Sequence, residues 1–233
     1  MIATERFVFV HLHKSGGSFV NEFLLRFFSD ARTFGYHLPL RLLPPELHAL
    51  PVLGFVRSPW SYYVSWYAFQ SQRPHPNALF RCVSDDGTLD FRASVRNLLL
   101  LGEDSARLER LLALLPDRYA AQGFGLNLPG FALAPIRGSG LGFYSFLFRY
   151  MYTGGASEPW IGRCETLRAD LRAFLERVGV TLDAPAREFI DQASPRNASQ
   201  HGDWRGYYDA ELARLVAQRD AEVVETFEYR FDA

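Results

Sequence analysis

The chain is poor in cysteine, in net charge and in long apolar runs, and each shortage removes a class of function. Its two cysteines, Cys82 and Cys164, stand far apart with no paired spacing, so neither a zinc site nor a redox pair is indicated. A disulfide between them is the minor expectation for a chain of 233 residues with a reducing context. Twenty-five Lys and Arg against 26 Asp and Glu leave a formal charge of −1, which gives no global pull toward DNA or RNA. Any anion site has to be local. The opening segment MIATERFVFVHLH is interrupted by charge and histidine, so it reads as neither a signal peptide nor a spanning helix. The later apolar stretches, Leu98 to Leu101 and Leu111 to Leu115, are too short to cross a bilayer. The expectation is a cytoplasmic protein without a membrane span.

What the chain has is rings. Hydrophobic residues make up 48% and aromatics 15%, with 20 Phe, enough for one sizeable core. A single domain over 1–233 is therefore expected. Phe7-Val8-Phe9-Val10 is a continuous apolar run of the kind buried on both faces of a parallel sheet. A loop with Gly16-Gly17 follows, then SFVNEFLLRFFSD, whose Val20, Leu24, Phe27 and Phe28 fall near helical spacing with Ser18 as the expected N-cap. The same order recurs: the strand Pro51 to Val56, the joint Arg57-Ser58-Pro59, then the helix WSYYVSWYAFQSQ with Ser58 as N-cap and Pro59 at its first position. Thr33 to His37 reads as a further strand, and the stretch after it as a proline-broken loop and helical turn.

The order βαβα predicts an α/β fold with a central parallel sheet flanked by helices. An insert at about 73–155 contains the helical stretches FRASVRNLLLLG and SARLERLLALL, a Gly- and Pro-rich irregular segment, and the helix FYSFLFRYMY. Trp160 to Arg163 reads as a late strand leading to an amphipathic helix stopped at Gly179. The tail from Tyr207 to Phe227 reads as one long helix.

The loop His13-Lys14-Ser15-Gly16-Gly17-Ser18 has the parts of a phosphate cradle. Glycines let backbone amides turn inward, the next helix adds its positive end, Lys14 adds a mobile charge, and Ser15 and Ser18 add hydroxyls. The same letters also suit a plain Gly-Gly turn. It is not a Walker loop, because Lys14 precedes the glycines. Arg57 ends the second strand, at the edge where open α/β sheets place ligands, and Ser65 lies two turns into the following helix. That pair suits a second phosphate, with Arg offering a fork of donors. The aromatic series Trp60, Tyr62, Tyr63, Trp66, Tyr67 and Phe69 could stack a sugar or a base, but core packing is the stronger reading for most of it.

FVFVHLHKSGGSFV resembles the 5′-phosphosulfate loop of sulfotransferases that use 3′-phosphoadenosine 5′-phosphosulfate (PAPS), and GFVRSPWSYYVSWY resembles their 3′-phosphate motif. WIGRCETLRADLRAFLERVGV and the tail from Asn197 are similar to the closing elements of carbohydrate-type and bacterial members, so the resemblance spans about half the chain. It implies a P-loop-like fold, PAPS as donor without a metal, and an acceptor hydroxyl, first of all on a carbohydrate, recognised by the insert. Lys14, Ser15, Gly16, Gly17 and Ser18 would hold the phosphosulfate, with Lys14 also catalytic. Arg57 and Ser65 would hold the 3′-phosphate, and the loop from Asn197 to Gly206, with Ser199, His201 and Arg205, would close over the nucleotide.

The reaction also needs a base for the acceptor hydroxyl. Among six histidines, His11, His13, His37, His48, His75 and His201, the choice is His37, because Gly35-Tyr36-His37-Leu38-Pro39 resembles the segment carrying the base in several carbohydrate sulfotransferases. His13 is expected to orient the loop or touch the sulfuryl group, His11 to pack in the strand, and Glu22 is a weaker alternative base. A nucleotide kinase and a catalytically silent nucleotide binder stay open as rival readings.

Overall fold

The computed structural model describes residues 1–120, 125–194 and 200–232. In chain order the strands are β1 (Ile2–Ala3), β2 (Val8–Phe9), β3 (Arg32–Thr33), β4 (Val52–Val56) and β5 (Trp160–Arg163). The helices are α1 (Gly17–Phe27), α2 (Pro59–Ser71), α3 (Ala78–Val83), α4 (Phe91–Leu99), α5 (Ser105–Leu112), α6 (Gly130–Leu133), α7 (Phe143–Tyr152), α8 (Leu167–Arg177), α9 (Ala184–Gln192), α10 (Ala210–Arg219) and α11 (Ala221–Thr226). The chain forms two compact units. One holds Met1–Arg57, Ala120–Asn127 and Tyr150–Ala198; the other holds Ser58–Tyr119, Leu128–Arg149 and Ser199–Ala233.

The first unit carries the five-stranded sheet, ordered β3-β1-β2-β4-β5. Val8 pairs with Val52 and Phe9 with Leu53 in parallel, and Leu53 to Val56 run parallel to Trp160 to Arg163. All five β4 residues are buried, as a continuous apolar strand in a parallel sheet requires. The sheet is not wholly parallel, however. β1 pairs antiparallel with both β2 and β3, so the α/β fold has a mixed sheet. The tight turn Thr4 to Phe7, closed by Thr4 N donating to Phe7 O, lets two short strands lie side by side. The strand expected over Thr33 to His37 is shorter and earlier, and the chain leaves the sheet after Thr33.

Helices α1, α8 and α9 cover the sheet with apolar faces. Phe19, Val20, Phe23 and Leu24 of α1 share one core with Phe7, Phe9, Leu53 and Phe55 of the strand segments, Leu171 and Phe174 of α8, and Phe189 and Ile190 of α9. Phe7 meets Phe174 edge-on at 5.3 Å, the favoured arrangement of ring quadrupoles. The N-cap of α1 is Gly16, not Ser18, because Gly16 takes φ +81°, which a residue with a Cβ adopts only under strain. Arg168 of α8 donates to the carbonyls of Ile190 and Ala193, joining α8 to the end of α9.

The second unit is helical. Ten of the thirteen α2 residues are buried, so this helix is core on nearly all sides, and its Trp and Tyr rings are packing groups. Tyr62 stacks on Tyr144 of α7 at 3.9 Å. The tail helix breaks at Asp220, whose side chain turns inward: Oδ2 accepts from Tyr63 Oη (2.7 Å) and Oδ1 from the Ser145 amide (2.7 Å). A buried carboxylate thus caps the first turn of α7, which supplies the physical reason for a stop inside an otherwise helical pattern. Among the described residues no helix is long and apolar enough to cross a membrane.

Candidate functional site

The parallel strands β2, β4 and β5 end at the same edge of the first unit, and the chemistry gathers there. After β2 the chain runs through His11, His13 and Lys14 into the Gly16-Gly17 joint and α1. Lys14 has φ +56°, a left-handed backbone that costs about 1–2 kcal/mol in a residue with a Cβ and that tertiary structure must impose. After β4, Arg57 reaches back so that its Nη1 donates to the Lys14 carbonyl at 3.3 Å. After β5, Cys164 comes to this edge, its Sγ 3.4 Å from where a Cβ on Gly16 would stand. Burial and then the Arg57 cation push the Lys14 ammonium down to about 8. Burial raises the Cys164 thiol to about 11, so it stays protonated at neutral pH. Two cations drawn together beside a helix amino terminus make a place that favours an anion.

Three histidines stand next to this loop. His11, His13 and His37 are all buried, at 5%, 9% and 8% exposure. The His13 and His37 rings stack with centroids 3.6 Å apart, and His11 lies 4.4 Å from His37 on the same measure. Carbonyl oxygens only accept, so the two hydrogen bonds to carbonyls fix two tautomers. His37 Nδ1 donates to His11 O (2.9 Å), which leaves Nε2 as its basic nitrogen. His13 Nε2 donates to Leu126 O (2.7 Å), which leaves Nδ1 with its lone pair, buried and without a hydrogen-bond partner. Asn21 Nδ2 of α1 donates to His11 Nδ1 at 3.3 Å.

Burial first, and then the neighbouring His13 and His11, hold His37 well below the usual imidazole value. Burial takes His13 down to about 4. Both rings are therefore neutral at pH 7, and His37 Nε2 carries a lone pair. His37, like Lys14, has a left-handed backbone, at φ +52°. Strained non-glycine residues of this kind concentrate at functional sites.

Gly17 is dictated by close approach. A Cβ there would lie 1.9 Å from Cδ2 of His11, inside the ring that backs the cluster. Phe9 also stacks on His11, with centroids 5.9 Å apart.

The structure brings together Lys14, Ser15, Gly16, Gly17, Ser18, Arg57 and His37 in the first unit. His11 lies just past the strand with its ring buried against Phe9 and His37, and its backbone carbonyl accepts from His37 Nδ1. Ser65 belongs to the second unit, buried on α2 at 2% exposure. Ser199 lies outside the described residues. His201 and Arg205 also belong to the second unit, where His201 Nδ1 hydrogen-bonds Gly202 O (2.8 Å) and Arg205 lies over the Trp204 ring at 4.4 Å. His48 is occupied elsewhere, by Leu43 O at 2.9 Å, and Glu22 is half-buried on α1. Both cysteines are free. Leu126 and Asn127 were not indicated by sequence reasoning. The signal that could have found Asn127 is its residue type: Asn tolerates the left-handed backbone it adopts at φ +45°.

Among the described residues no cluster of three or more His, Cys, Asp or Glu is placed to hold a metal ion. No model of a known protein family matches the chain. No curated protein matches it either.

Proposed function

We propose that this chain transfers a sulfuryl group from PAPS to an acceptor hydroxyl, first of all one on a carbohydrate. The observation that carries the proposal is the meeting of Lys14 and Arg57 beside the α1 amino terminus, next to a neutral buried histidine. Lys14 and the loop amides suit the phosphosulfate end of the donor, with Arg57 at hand for its 3′-phosphate. His37 Nε2 would accept the proton of the acceptor hydroxyl as its oxygen attacks sulfur. Lys14 would stabilise the charge left on the phosphate oxygen as the old sulfur–oxygen bond breaks. The products are a sulfate ester, adenosine 3′,5′-bisphosphate and a proton later released from His37.

The parallel trio β2, β4 and β5, with ligand loops at its carboxyl edge, supports a P-loop-like sulfotransferase arrangement. The parts of Arg57 and Ser65 in holding the 3′-phosphate rest on the sequence resemblance. The free cysteines suit a cytoplasmic setting. A nucleotide kinase is less favoured, since Lys14 precedes the glycines and caps no phosphate loop of Walker form.

The test is turnover of sulfur-labelled PAPS against a panel of simple sugars, glycosides and alcohols. The expected result is label in an acceptor, with adenosine 3′,5′-bisphosphate released in equal amount. Release of no bisphosphate with any of these acceptors would overturn the assignment of the activity.

A further inference from the structure

The histidine cluster is held from outside by a segment that the proposed chemistry does not use. Asn127 bonds both backbone groups of Ala120: its Oδ1 accepts from Ala120 N (2.7 Å), and its Nδ2 donates to Ala120 O (3.3 Å). The same Nδ2 donates to Tyr36 O at 2.6 Å, one residue before His37. The residue before Asn127, Leu126, supplies the carbonyl that takes the His13 Nε2 proton. One side chain therefore ties together the carbonyl that fixes His13 and the backbone that carries His37.

A primary amide is required for this. Its oxygen takes one backbone N–H while its nitrogen gives to two carbonyls, a set that neither a carboxylate nor a hydroxyl reproduces. Its left-handed backbone at φ +45° suits Asn and Gly and strains most other residues. The other groups packed on the cluster cannot replace it. Asn21 serves His11, and stacked rings with planes 15° apart share no in-plane hydrogen bond, so among the described residues the His13 ring is anchored by Leu126 alone.

We propose that Asn127 is a positioning residue. Through Leu126 it holds His13 in the Nε2–H form, and through Tyr36 and the ring stack it holds the plane of His37. The effect on catalysis rests on the reading of His37 as the base, whereas the effect on the rings does not. Without the clasp the His13 ring is free to exchange between tautomers, and the surface against which His37 stacks is lost.

The experiment is two-bond proton–nitrogen correlation spectroscopy of the imidazole rings, which separates Nδ1–H from Nε2–H forms. It is run on the full chain and on Asn127→Asp, which keeps the acceptor but removes both donations. In the parent chain His13 is expected as Nε2–H and His37 as Nδ1–H. In Asn127→Asp the His13 pattern is expected to become that of a tautomer mixture, with affinity for adenosine 3′,5′-bisphosphate changed less than about twofold. Turnover of PAPS would fall about tenfold to a hundredfold, the loss typical of a misplaced reacting group. If Asn127→Asp does not fold, Asn127→Gly carries the same test, because glycine meets the backbone requirement without strain. A single, unchanged Nε2–H pattern for His13 in the folded variant would overturn the inference. Failure of the bisphosphate to bind the parent chain would instead count against the proposed activity and leave the ring result standing.

Discussion

Asp220 makes a prediction whose size can be worked from the structure. Its carboxylate is fully buried, and burial raises it from the ordinary 3.8 to about 6, against the opposing effect of hydrogen bonds from Ser145 and Tyr63. At about 1.4 kcal/mol per tenfold change in proton affinity, ionising it in the folded state costs about 3 kcal/mol. The group's folded value is raised, so its stabilising contribution is complete below 3.8 and is lost as pH rises to about 6. About 2 kcal/mol of that loss falls between pH 4.5 and 7.5.

Asp220→Asn keeps the shape and an acceptor for the Ser145 amide but cannot ionise. It removes the acceptor of the Tyr63 hydroxyl, a pH-independent loss of about 1–2 kcal/mol. The variant should therefore be the less stable chain at pH 4.5 and equal or more stable at pH 7.5. The buried histidines act in the opposite sense. His13, depressed to about 4, contributes stability above 6.5 that is lost as pH falls, but this is common to both chains and cancels in the difference. Urea unfolding of both chains at several pH values measures that difference. Parallel stability curves across pH 4.5 to 7.5 would refute the reasoning.

Gly17→Ala gains about 1 kcal/mol of helix propensity but drives a methyl to within 1.9 Å of a ring held by Phe9 and His37, so overpacking wins. A net loss of about 1–2 kcal/mol and a lower melting temperature are expected; an unchanged or raised melting temperature would contradict the packing described. Lys14, pushed down to about 8, is charged below that value, so bisphosphate affinity should weaken as pH rises through 8, and Lys14→Met should flatten that dependence in a calorimetric titration. His37→Ala should lose most turnover while binding the bisphosphate normally. Near-normal turnover would move the base elsewhere.

The two strand-loop-helix joints were legible because Phe7 to Val10 and Val52 to Val56 are unbroken apolar runs, and Pro59 takes the first position of α2 as its fixed backbone favours. The antiparallel edge was not legible, because β1 and β3 are two residues each and carry no alternation to read. Ser18 is a better N-cap by residue type than Gly16, but the turn demands a positive φ there, and that demand decides. The break at Asp220 is not readable in the sequence, because its cause lies in α7, more than seventy residues earlier in the chain. His37 is proposed as the base from the sequence resemblance; its stacking on His13 and its bond to the His11 carbonyl are tertiary facts. Asn127 sits in a Gly- and Pro-rich stretch whose letters signal irregular backbone without saying what it holds.

The central claim is that the loop at Lys14 and Arg57 serves a nucleotide carrying a 3′-phosphate. Calorimetric titration with adenosine 3′,5′-bisphosphate and with ADP tests it most directly. The account predicts tighter binding of the bisphosphate, by about tenfold or more for one charge-assisted phosphate contact, and loss of that preference in Arg57→Gln. Equal affinity, a preference for ADP, or no binding of either would contradict it.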